Sequence, residues 1–219
     1  MFYGNRPLGS SWKDRNVLRI EMRRVNGDPR TLAVIPGAYN PPTIAHAALA
    51  TQAAGMADEV LLLLPETLPH KNFDGAGFET RLELLRRAVD HERVSVGAST
   101  GGLFLEVAEA CAARFPNAEI SLVCGRDAAE RILDWPYPEM DALERLFSLV
   151  KLWVFDRHGA LRVPESLRES IVPFPFEEDL QRLSSTEVRR RIAQGEEWRE
   201  LVPPSIRDDV ERIYTRTQG

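Results

Sequence analysis

Residues Val34 to Leu49, VIPGAYNPPTIAHAAL, bring together an apolar run, a turn of Gly37, Ala38, Tyr39 and Asn40 followed by two prolines, and a helical pattern carrying Thr43 and His46. A strand-to-helix turn gathers backbone N–H groups and the positive end of a helix dipole at one point, which binds an anion without a dedicated cation. His46 adds a side-chain donor there, and Thr43, one turn earlier, shares its helical face. The same pattern occurs where a helical histidine only packs or faces solvent. Its chemical meaning therefore depends on what accompanies it.

Four more segments place polar residues at the ends of apolar runs or the starts of helical ones. Pro69, His70 and Lys71 follow Val60–Leu64. Ser99, Thr100, Gly101 and Gly102 follow Val94–Val96. Gly125, Arg126 and Asp127 follow Ile120–Val123, with Trp135 shortly beyond. Ser184, Ser185 and Thr186, with Arg189 one turn on, open a helical stretch that ends at Gly195. Each has a plain alternative. Lys71 is then a solvated loop lysine, Asp127 a carboxylate complementing a helix dipole, and Trp135 a core anchor. Ser184 with Glu187 forms a capping box, and Arg189, Arg190 and Arg191 make a solvated face.

The elements that must position these groups read as alternating strands and helices. Leu32–Ile35, Val60–Leu64, Val94–Val96, Ile120–Val123 and Leu152–Phe155 are β-branched or Leu-rich runs, with helical patterns near 43–54, 78–90, 103–115, 127–133 and 139–149. The alternation predicts an α/β fold, a Rossmann-like doubly wound parallel sheet. The clearest helix, 78–90, has an apolar stripe of Phe78, Leu82, Leu85 and Val89 flanked by Arg81, Glu83, Arg86 and Arg87. Beyond Phe155, prolines and charges break up any long helix, and Ile171–Phe174 reads as one more short strand. Helical stretches from Ser184 and from Pro204 to Thr215 predict a small C-terminal helical subdomain. Residues 1–29 lack clear periodicity and read as an N-terminal extension to a domain spanning 30–219.

Composition narrows the function classes. The chain has 219 residues, 43% hydrophobic and 28% charged, as in an ordinary globular protein. A net charge of −5 offers no basic field for a nucleic-acid polymer. No run is long and apolar enough to span a bilayer and no signal core is visible, so a cytoplasmic location without membrane partners is expected. The two cysteines, Cys111 and Cys124, read as reduced core thiols, and no cluster suggests an all-protein metal cage. The first turn carries neither GxGxxG nor GxxxxGK[ST], so neither common phosphate motif accounts for it.

The pairing of GxxNPPTxxH at Gly37–His46 with SSTxxR at Ser184–Arg189, and PHK and GxD…W between them, resembles the (H/T)xGH nucleotidyltransferase superfamily. Within it the chain is most similar to the nicotinate/nicotinamide mononucleotide adenylyltransferase family, over roughly residues 31–215. The resemblance implies transfer of AMP from ATP to nicotinate or nicotinamide mononucleotide with release of pyrophosphate, in NAD biosynthesis. ATP would be a substrate, Mg²⁺ would arrive with it, and homo-oligomers are common in such families. Gly37, Ala38, Tyr39 and Asn40 would present the turn to nucleotide phosphates, and Thr43 and His46 would contact the ATP phosphates. Lys71 would neutralise charge from the opposite loop, and Arg189 would hold the leaving group with Ser184, Ser185 and Thr186. Gly125 and Asp127 would meet the adenosine ribose, Trp135 would stack on the pyridine ring, and Thr100 would lie near the nicotinate group. Ala45 stands where the motif has glycine and Thr43 where it has its first histidine. A phosphopantetheine or other small-phosphate acceptor, and a nucleotide-binding homologue with weak catalysis, stay open as alternatives.

Overall fold

The computed structural model describes residues 17–67, 75–155, 161 and 163–215. Seven strands form one sheet: β1 (Leu18–Met22), β2 (Thr31–Pro36), β3 (Glu59–Pro65), β4 (Val94–Ser99), β5 (Glu119–Gly125), β6 (Val150–Phe155) and β7 (Ile171–Pro173). Their order is β1-β4-β3-β2-β5-β6-β7, parallel except for β1, which runs antiparallel to β4. Strand order reverses between β2 and β5. In sheets of this kind the crevice at the carboxyl ends of those two strands is where ligands bind.

Period-two alternation divides the strands between two cores. Ala33, Ile35, Leu62 and Leu64 face α1 (Ile44–Ala54) and α2 (Phe78–Ala88), while Leu32, Val34, Leu61 and Leu63 face α3 (Phe104–Arg114), α4 (Arg126–Asp134) and α5 (Ala142–Leu149). A short helix α6 (Glu178–Gln181) precedes α7 (Ser185–Gln194), and α8 (Arg207–Tyr214) follows. Val188 and Ile192 of α7 and Val210 and Tyr214 of α8 join the same core as α1 and α2. The C-terminal helices are thus welded to the sheet face that carries the first turn. Gly195 ends α7 at φ 68°, the left-handed C′ conformation that glycine adopts without a Cβ clash.

Two sequence expectations change. Leu18–Met22, read as part of the extension, is a strand, and the alternation of Leu18, Ile20 and Met22 was its signal. Just beyond it Arg23 donates at 2.8 Å to the fully buried Glu59, whose other oxygen accepts from Ser95 Oγ at 2.6 Å. Arg81, read as flanking the apolar stripe of α2, is itself 2% exposed and points toward the first turn. Among the described residues no helix is long and apolar enough to cross a membrane.

Candidate active site

The turn after β2 is held from several distant parts of the chain. The Gly37 N–H donates to Leu63 O at 3.0 Å and extends the β2–β3 ladder, so it is not one of the anion donors the motif implied. Tyr39 is buried, in the left-handed region at φ 46°, and its hydroxyl donates to Ile35 O at 2.5 Å. Its ring lies so close over Gly37 that a Cβ there would come within 2.9 Å of it. Arg81 of α2 donates to Ala38 O at 2.7 Å, and Arg189 of α7 donates to Asn40 O at 2.6 Å. Ser185 Oγ donates to Pro41 O at 2.7 Å, and the Tyr214 hydroxyl at the end of α8 donates to Asn40 Oδ1 at 2.6 Å. The Asn40–Pro41 bond is cis. Donors on α2, α7 and α8 fix the turn's carbonyls, and among the described residues the Ala38 and Tyr39 N–H groups have no hydrogen-bond partner.

His46 is oriented by the helix start itself. Its Nδ1 accepts from the Thr43 backbone N–H at 3.0 Å and lies 2.8 Å from Thr43 Oγ1. A backbone N–H can only donate, so Nδ1 is the acceptor and the neutral ring carries its proton on Nε2. Thr43 is fully buried and off the cavity wall, and its N–H and hydroxyl both meet the His46 imidazole. Tyr39 completes the support, edge-on to the His46 ring with centroids 5.0 Å apart.

The start of α7 divides its three arginines. Arg190 and Arg191 pair with Glu187, and Arg190 also with Glu196, so these two form the solvated face that the charge run suggested. Those hydrogen bonds hold the Glu187 carboxyl at about 2, well below the usual range. Only half of the expected capping box forms: Ser184 Oγ accepts from the Glu187 N–H at 3.2 Å, but the Glu187 side chain is drawn outward by the arginines. Arg189 alone of the three turns inward, to Asn40 O.

These groups wall a cavity of about 570 Å³ at the carboxyl ends of β2 and β5. Gly37–Asn40, His46, Gly125, Trp135, Ser184–Thr186 and Arg189 all line it, so most of the residues singled out by motif meet in one space. A Cβ on Gly125 would come within 3.1 Å of the Phe155 ring. Among the described residues its charged or titratable walls are His46, Arg131 and Arg189, with Cys124, Tyr39 and Tyr137, and no carboxylate. Burial pushes the Cys124 thiol and the Tyr137 phenol up to about 12, so neither ionises near neutral pH. The walls therefore offer donors and positive charge rather than a nucleophile with its base, which suits anion alignment.

Asp127 and Thr100 lie off the cavity wall. Asp127 is exposed in the first turn of α4 and off the cavity wall, where a carboxylate complements the helix dipole. Thr100 closes the edge of the sheet: its Oγ1 accepts from Val17 N–H at 3.0 Å, and its own N–H donates to Val17 O. Lys71 lies outside the described residues, as do Pro69 and His70. Ala45, the departure from the motif glycine, is buried and off the cavity wall, so its methyl does not narrow the ligand space. Motif reading missed Arg131, Tyr137 and Phe104 on the wall and Arg81 behind it. For Arg131 a signal existed, since it lies one turn before Trp135 on α4.

Arg81 offers a test of the support. Burial lowers its pKa, so a methionine of similar volume relieves the desolvation of a guanidinium while losing the bond to Ala38 O. For Arg81→Met the two effects nearly offset in stability, within about 2 kcal/mol, while kcat/KM falls about tenfold as the turn loosens. Thermal melting and steady-state kinetics on one preparation would show the split.

A family model described as cytidylyltransferase-like matches residues 34–191. A probable nicotinate-nucleotide adenylyltransferase of Anaeromyxobacter dehalogenans is 32% identical over 199 residues, covering 83% of this chain and 94% of the relative. One from Exiguobacterium sibiricum is 28% identical over 189 residues, covering 82% and 95%. In fold, the chain is similar to the Plasmodium falciparum nicotinic acid mononucleotide adenylyltransferase solved in complex with NaAD, with a TM-score of 0.67 at 14% identity over 84% of this chain and 95% of that one. Both anchor motifs, at Gly37–His46 and Ser184–Arg189, fall within the span the family model matches. The chain belongs to the cytidylyltransferase-like family, in its nicotinate-nucleotide adenylyltransferase branch.

Proposed function

We propose that the protein transfers AMP from ATP to the phosphate of nicotinate mononucleotide. An oxygen of the acceptor phosphate attacks the α-phosphorus, a new P–O bond forms, the bond to the β-phosphate oxygen breaks, and pyrophosphate leaves. The observation that carries this is the meeting of His46 and the Arg189-bearing start of α7 on one cavity, across the turn after β2. His46 Nε2–H would donate to the α-phosphate as charge develops, with the Ala38 and Tyr39 N–H groups on the neighbouring phosphate oxygens. Arg189 and the Ser184–Thr186 segment would hold the leaving pyrophosphate. Trp135 would stack on the pyridine ring, and Gly125 would let the adenosine approach β5. Lys71 would reach the phosphates from the segment preceding α2.

Both reactants are phosphates, so the reaction needs alignment and charge rather than a protein nucleophile. Mg²⁺ enters as part of the ATP substrate. With no carboxylate on the described cavity wall, its ligands would be phosphate oxygens and water, the coordination Mg²⁺ commonly keeps.

The test is an acceptor panel with ATP and Mg²⁺, reading pyrophosphate release and dinucleotide formation. Nicotinate mononucleotide should give both products, and phosphopantetheine neither. ATP binding by calorimetry with no pyrophosphate from any acceptor would replace this reading with nucleotide binding alone.

A further inference from the structure

The cavity holds a cation that the transfer chemistry leaves unused. Arg131 lines it from α4, about 9 Å along the helix beyond Gly125 at 1.5 Å of rise per residue, and so away from the helix start where the adenosine would approach β5. Among the described residues its guanidinium makes no hydrogen bond, ion pair or ring contact, although Arg126 on the same helix pairs with Glu130. Asp127 stands one turn before Arg131, the acid-first order that favours an ion pair along a helix, yet no such pair forms among the described residues. Its charge is instead felt at Cys124, a buried thiol on the same cavity wall.

Trp135, the residue that ends α4 four positions beyond Arg131, also lines the cavity. An indole face and a guanidinium on one cavity wall, four residues apart in the chain, suit a flat aromatic ring bearing an anionic substituent: the indole takes the ring and the guanidinium takes the charge. With no carboxylate on the described wall, nothing there competes for Arg131.

We propose that Arg131 determines acceptor specificity, binding the carboxylate on the acceptor's pyridine ring and discriminating against the neutral carboxamide. This rests on the adenylyltransferase reading above. It adds to that reading the residue that distinguishes nicotinate from nicotinamide mononucleotide.

The experiment is steady-state kinetics of the wild type and Arg131→Gln with nicotinate and nicotinamide mononucleotide as alternative acceptors. The position, exposed and unpaired among the described residues, predicts an unchanged melting temperature. A lost charge-assisted hydrogen bond predicts that kcat/KM for nicotinate mononucleotide falls about 10- to 100-fold. The value for nicotinamide mononucleotide should change by less than about threefold and KM for ATP should stay constant, because neither neutral ring nor ATP uses that bond. Arg131→Lys should recover part of the discrimination, since it returns the charge without the planar fork. An equal loss with both acceptors would mean that Arg131 reads the phosphate or ribose they share, and would overturn the proposal. No loss with either would also overturn it. A wild type silent with both acceptors would overturn the adenylyltransferase reading itself, and the proposal with it.

Discussion

His46→Ala is expected to lower kcat by about 10²- to 10³-fold, the usual effect of removing one preorganised donor from a developing oxyanion. The imidazole does two things, and the structure separates them. Its Nδ1 accepts from the Thr43 backbone N–H, which caps the start of α1, and that bond sets the proton on Nε2. Alanine removes both functions, so a stability loss of about 0.5–2 kcal/mol accompanies the rate loss. His46→Asn keeps an acceptor within reach of the Thr43 N–H but lacks the farther Nε2–H. It should recover most of the melting temperature and little of the rate. Recovery of both would show that the histidine matters for the helix start and not for the transferred phosphate. Melting curves beside pyrophosphate-release assays make the distinction.

Arg189→Ala is expected to reduce kcat/KM for ATP about 10²- to 10³-fold, whereas Arg190→Ala and Arg191→Ala each change it by less than about threefold. Sequence offers no reason to separate three adjacent arginines. The structure does, because Arg190 and Arg191 are committed to Glu187 and Glu196 at the surface, while Arg189 reaches 2.6 Å from Asn40 O. A guanidinium has five donors, so it can keep the turn in place with one and meet a phosphate with others. Lysine restores charge but must divide fewer, unforked donors between the two tasks, so Arg189→Lys should regain only about tenfold. A uniform response across the three positions would show that the general positive potential of α7 matters and the inward bond does not. Kinetics at two ionic strengths would sharpen the result, since a diffuse field is screened by salt more than a direct contact.

Much of the fold was legible in the chain because apolar runs buried on both faces and helices with one apolar stripe leave strong periodic signals. β2 to β6 and α1 to α5 lie where alternation placed them, within a few residues at their ends. α5 starts later than its pattern suggested, at Ala142, since Pro136 and Pro138 precede it in the Trp135–Asp141 connection. β1 carries only a weak signal in its alternation, because an edge strand with mixed charges has few apolar residues. Its partner β4 lies more than seventy residues away.

The candidate site was legible where residue type alone implies a role. A turn, a histidine and a late SSTxxR motif announce two helix starts, and both line one cavity. Roles that depend on which way a group points were not legible. Thr100 and Asp127 have suitable chemistry, yet the hydroxyl of one closes the sheet edge at Val17 and the carboxylate of the other faces solvent. The Gly37 N–H has the right position for an anion and is spent on Leu63 O.

By itself the sequence determined the α/β class, the two motif-bearing helix starts and the polarity of the first turn, because periodicity and local backbone chemistry act over a few residues. Only the tertiary structure decided that Arg81, Arg189, Ser185 and Tyr214 would converge on residues 38–41 from α2, α7 and α8. It also left Arg131 facing the cavity without a partner among the described residues. Those outcomes depend on strand order and on how buried carbonyls find donors across long stretches of chain, and no local pattern encodes which donor reaches them.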